Sequence, residues 1–137
     1  MTGKHSGWMD QHAPSLDDLE AMARDALAGL PKQFRKLCGE LVFMVQDFPE
    51  EDVMRDMKLE SEFEILGLFQ GPDMSARDGA FSAPQQTMIF LYRRPILDYW
   101  AESDDSIGHI VRHVLIHEIG HHFGLSDDEM HAIEEGG

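Results

Sequence analysis

One stretch constrains this chain more than any other: His117-Glu118-Ile119-Gly120-His121-His122-Phe123-Gly124-Leu125-Ser126-Asp127. Its pattern is His-Glu-x-x-His-x-x-Gly-x-x-Asp. An α-helix turns once per ~3.6 residues, so His117 and His121 leave the same side one turn apart. Two imidazoles so placed can reach one metal ion at ~2.0–2.1 Å. Glu118 points ~100° away from His117. That suits it to take a proton from a water beside the metal rather than to ligate. Gly124 fits a helix C-terminus, where a left-handed residue reverses the chain and brings Asp127 back towards the histidines. His117, His121 and Asp127 are therefore the candidate ligands of one catalytic zinc, with the fourth position left to water. Glu118 is the candidate general base.

Zinc lowers the pKa of bound water from ~9 in the aqueous ion to ~7 in a protein site. It also polarises a carbonyl. A general base contributes ~10²–10⁴ in rate. Together these hydrolyse an amide with no covalent intermediate. Two histidines and one carboxylate also suit Fe(II) or Mn(II).

Asp127 has a rival explanation. Ser126 and Glu129 stand at capping-box spacing, and an acidic first turn is favoured by the helix dipole without any metal. Asp128 is the next candidate ligand, with Glu134 and Glu135 more distant ones. Six of the eight histidines lie between His109 and His131. His109, His113, His117 and His121 recur at steps of four and form a ridge that drifts ~40° per step. Only adjacent members can share an ion. His113 can pair with His117, but the 117/121 pair alone has the glutamate and the returning aspartate. His122 falls between the directions of Val111 and Leu115 and reads as a packing histidine.

These residues resemble the zincin metallopeptidases, and among them the Asp-zincins, whose third ligand is an aspartate. Upstream, Leu91-Tyr92-Arg93-Arg94-Pro95-Ile96 followed by a helix from Ile107 to Phe123 resembles a family of small bacterial single-domain zincin-like proteins. The resemblance covers roughly residues 15–135, and its specific part is 91–127. It implies a minimal metalloendopeptidase-type fold with one catalytic zinc. It also implies that substrate backbone lies along an edge strand by β-augmentation. Residues 65–70 are the candidate, because Gly67 and Gly71 let another chain approach, although a bulge and a turn explain the same glycines. A donor to the developing oxyanion is expected too. Tyr92 and Arg93 are the candidates, against a packed tyrosine and an arginine paired with surface acids.

At 137 residues, 42% of them hydrophobic, the chain has material for one core. Residues 1–13 read as a disordered tail and 14–137 as one domain. The net charge of −15, from 26 acidic and 11 basic residues, argues against nucleic acid. It favours solubility first, and basic or neutral peptides second, as a peptide or protein substrate. Residues 1–13 lack the apolar segment of a signal peptide, and no run of ~18 apolar residues would span a membrane. The single Cys38 allows no internal disulfide. A cytoplasmic protein is expected.

Hydrophobic periodicity gives a helix from Ser15 to about Leu30, with a helical turn over 32–38. Leu41 to Val45 is an unbroken apolar run and reads as a strand buried on both faces. A short helix follows Pro49, a second strand covers 63–70, and 71–86 is a loop with Asp78-Gly79 and Pro84 as turn signals. A third strand covers 87–93. Helices follow at about 95–102, from a Ser103-Asp104 cap to about Phe123, and over 127–135. The order predicts an α+β domain, with a small, about three-stranded sheet packed on helices that include the active-site helix.

Two other functions compete. A latent peptidase or non-enzymatic zinc-binding module is one, since so short a chain leaves little material for substrate subsites. A metal-dependent ribonuclease is the other. Bacterial rRNA-maturation endonucleases share the ligand spacing, but they end in histidine and lack the glutamate. Glu118 and the acidic charge both oppose that reading.

Overall fold

The computed structural model describes residues 7–71 and 87–136. Residues 1–6, and the loop read at 71–86 apart from Gly71, lie outside the described residues. Within the stretch read as a tail, residues 7–9 make one helical turn, with Trp8 83% and Met9 84% exposed.

Helix α1 (Leu16–Ala28) starts at a capping box: Ser15 Oγ accepts from the Asp18 amide at 3.0 Å, and Asp18 accepts from the Ser15 amide at 2.9 Å. Its apolar stripe buries Leu19 and Ala23 completely. Helix α2 (Lys32–Cys38) adds Phe34 and Cys38 to the core. Strand β1 (Leu41–Gln46), helix α3 (Glu51–Asp56), strand β2 (Gly67–Gln70) and strand β3 (Thr87–Tyr92) follow. Then come α4 (Arg93–Ala101), α5 (Ile107–His122) and α6 (Asp127–Gly136).

The described strands form one three-stranded sheet in the order β1-β3-β2. β1 runs parallel to β3, and β2 runs antiparallel to it. The register sets Phe43, Ile89 and Phe69 in one row across the sheet. All three are buried, as is Leu91 beside them. Side chains alternate along a strand, so this row marks the face on which α1 and α5 pack. The next row, Met44, Phe90 and Leu68, belongs to the other face and is only half-buried. The two-faced burial expected for β1 is thus corrected: only Phe43 is buried in it. Among the described residues β1 lies at the sheet edge and α1 packs against it, so its apolar run does not mark an interior strand.

Several boundaries also move, Arg93 among them, which opens α4 rather than closing β3. The second strand begins at Gly67 rather than 63, and Phe63 instead packs edge-on against Phe48, with ring centroids 5.3 Å apart. Helix α5 is capped by Ser106 rather than Ser103, with Oγ accepting from the His109 amide at 3.2 Å. Ser103 serves the preceding turn, donating to the Trp100 carbonyl. β3 enters α4 directly, and Pro95 is accepted in the first helical turn because the amide it lacks has no intrahelical partner there.

Among the described residues no helix is long and apolar enough to cross a membrane. The mixed sheet and its helices make the small α+β domain expected from the sequence.

Candidate metal centre

The motif lies on the last turns of α5 and the reversal after it. The face of α5 opposite the histidines is apolar: Val111, Leu115, Ile116 and Ile119 have no exposed surface. That burial fixes the helix and leaves the histidine ridge on its accessible side. The helix ends as the sequence implies. Gly124 has φ +78°. Its amide donates to the His121 carbonyl at 3.2 Å, and the Leu125 amide donates to the Gly120 carbonyl at 2.9 Å. These two bonds are the pair of a Schellman motif.

The chain then turns back along α5 as α6, and Gly120 lets it come close. A Cβ on Gly120 would stand 2.5 Å from Met130 Sδ and 2.8 Å from its Cγ. Met130 is fully buried there. Further along, Arg112 Nη2 donates to the Ile133 carbonyl at 3.3 Å. One turn after Met130, Glu134 meets the ridge. Its Oε1 lies 2.9 Å from His117 Nε2 and its Oε2 lies 2.7 Å from His113 Nδ1. Among the described residues, His113, His117 and Glu134 are the group whose metal-ligating atoms converge, all within 4.8 Å of one another.

The expected trio is placed differently. His117 and His121 share the ridge, with ring centroids 5.8 Å apart and planes at 76°. A ring nitrogen ~2.0–2.1 Å from an ion puts its ring centre roughly 3 Å away, so centres about 5–6 Å apart suit two rings on one ion. The pair fits a metal by donor type and by spacing. Asp127 is exposed in the first turn of α6 and is not in the converging group. The capping box beside it is formed: Ser126 Oγ accepts from the Glu129 amide at 3.0 Å, and Glu129 accepts from the Ser126 amide at 2.7 Å.

Glu118 is half-buried next to this pair. Burial pushes its carboxyl pKa up, while the charges of His121 and His117 pull it down. The lowering of Glu134 by its hydrogen bonds to His117 and His113 outweighs the burial that alone would raise it.

Tyr92 and Arg93 are tied into the fold. Tyr92 has no exposed surface, and its hydroxyl meets no hydrogen-bond partner among the described residues. Burial pushes its pKa up to about 12, with the charges of Glu50 and Glu118 adding to the effect. Arg93 Nε donates to the Pro14 carbonyl at 2.6 Å, and its Nη1 pairs with Asp47 at 3.1 Å. The glycines of the edge strand are also used internally. A Cβ on Gly67 would lie 2.7 Å from Val114 Cγ1 and 2.9 Å from the Phe90 carbonyl oxygen. Gly71 faces the Phe69 ring and His122 Nε2. His122 packs edge-on against Phe69 at 4.8 Å.

Sequence spacing gave Glu134 little weight. Its role depends on how closely α6 lies on α5, and the signal for that was Gly120 inside the motif.

A family model described as zincin-like metallopeptidase matches residues 38–137. No curated protein matches the chain. The match covers more than half of the sequence, and the chain belongs to the zincin-like metallopeptidases.

Proposed function

We propose that this member of the family is a zinc-dependent endopeptidase acting on peptides or unfolded protein segments. The observation that carries the proposal is a half-buried glutamate, Glu118, adjoining a histidine pair whose spacing suits one ion. His117 and His121 would hold the zinc, with Asp127 as the third ligand by motif spacing. Zinc, when bound, supplies a Lewis acid and a water of lowered pKa. Glu118 takes the proton from the attacking water and passes it to the leaving amine nitrogen. Its burial favours that exchange, because raising the carboxyl pKa makes it a stronger acceptor for the proton of the water. Among the described residues β2 pairs with β3 alone, and its other side would offer main-chain groups along which an extended peptide can lie.

Digestion of an unfolded protein substrate tests this. Cleavage should stop on treatment with a zinc chelator and return with added Zn²⁺. Cleavage that persists in the metal-free protein would defeat the proposal. A latent or purely zinc-binding protein is the second reading. It draws on Glu134, which already engages His117. Stoichiometric zinc without cleavage of any peptide in a broad library would favour it.

A further inference from the structure

The histidine ridge is longer than the motif needs, and α6 lays two carboxylates along it. Asp127 stands at the start of α6 and Glu134 seven residues on, about two turns or ~10 Å away. α6 runs back along α5, as the Gly120–Met130 and His117–Glu134 contacts fix. Each carboxylate therefore belongs with a different end of the ridge.

We propose that His113, His117 and Glu134 form a second divalent-metal position, which shares His117 with the motif and so excludes simultaneous loading of the motif pair. Three ligand atoms within 4.8 Å already converge. In a four-coordinate zinc site, bonds of ~2.0–2.2 Å set ligand atoms roughly 3.3–3.5 Å apart. The 2.9 and 2.7 Å contacts of Glu134 need to open by about half an ångström as an ion replaces the shared protons. The His113 and His117 rings are stacked, with centroids 4.0 Å apart and planes at 27°, so one must swing to aim its nitrogen at the ion. His113 can do so, because its side chain is 53% exposed. Glu134, at 13% exposed, is the fixed floor.

A cation has a route in. His113 lines an open cavity of about 330 Å³ together with His109 and Asp105. The acidic surface of the chain draws cations towards it. An ion held here is displaced by about one helical turn from an ion held between His117 and His121, and from the water that Glu118 would serve. The position parks metal rather than catalyses.

Equilibrium Zn²⁺ binding by competition with a chromophoric chelator tests this in full-length variants, with circular dichroism reporting folding. His121 and His113 are both exposed, so their replacement leaves the core intact. His121→Ala removes the motif pair and should still bind one Zn²⁺. Adding His113→Ala or Glu134→Gln to His121→Ala should then weaken binding by more than the ~10–100-fold that loss of an outer hydrogen-bond partner costs. If His121→Ala binds no zinc while the wild type binds one ion, the second position is overturned and the catalytic reading survives. Zinc binding in His121→Ala that is indifferent to both added changes overturns it as well. A wild type that binds no zinc defeats both.

Discussion

At the residue scale, the motif combines two histidines that the helix must place together with one carboxylate that a loop and a second helix must deliver. The first requirement follows from spacing alone, and the 5.8 Å ring separation of His117 and His121 reflects it. The second depends on chain reversal. Gly124 announced that reversal, and its positive φ supplies it. Where the returning carboxylates land depends on helix-to-helix distance, which residue spacing does not encode. That is why Glu134 was faint in the sequence and clear in the structure. Cys38 gives a separate check on the core. Its thiol is buried, and burial raises its pKa from 9.0 to about 11. The folded thiol therefore holds its proton more tightly than the unfolded one. The resulting contribution to stability is complete below pH 9 and is lost as the pH climbs through 11. Urea midpoints of the wild type and Cys38→Ala, followed from pH 8 to pH 11, should converge at the alkaline end. A gap that stays constant across that range would contradict the burial account.

At the scale of elements, two glycines decide how closely β2 and α6 approach α5. Gly67→Ala gains a little from a stiffer unfolded chain, ~0.4–1 kcal/mol. It must also fit a Cβ 2.9 Å from a backbone carbonyl oxygen and 2.7 Å from Val114. Overpacking at ~1–3 kcal/mol outweighs the gain, so thermal unfolding should show net destabilisation. An unchanged or raised melting temperature would mean that β2 does not press on α5. Gly120→Ala is the parallel case inside the motif. Alanine favours helix by ~1 kcal/mol. The added methyl, however, meets Met130 in a fully buried seat. We expect a lower melting temperature and displacement of α6. Imidazole NMR should then register loss of the Glu134 contacts at both His113 and His117. The elements themselves were largely legible, because capping boxes at Ser15 and Ser126 and the apolar stripes of α1 and α5 are local signals. Burial of β1 was not. An unbroken apolar run reports hydrophobicity, not whether both faces of a sheet are covered.

At the scale of the whole molecule, a three-stranded sheet and a few helices hold the motif helix by one apolar face and leave His113 and His121 exposed. The fold class followed from element order, and the family match over residues 38–137 agrees with it. The charge of −15 bears on partners rather than fold. It predicts that positively charged peptides associate faster than acidic ones of equal length, with the difference shrinking as salt rises. Association rates for a lysine-rich and a glutamate-rich peptide, measured at two salt concentrations, check this, and equal rates at low salt would contradict it. The central claim rests on Glu118, the residue that separates hydrolysis from mere metal binding. The direct measurement is zinc content and peptide cleavage of wild type and Glu118→Gln side by side. Equal zinc in both, with cleavage reduced by ~10²-fold or more in the variant, is the expected result. Equal cleavage by the two proteins at equal zinc would contradict it.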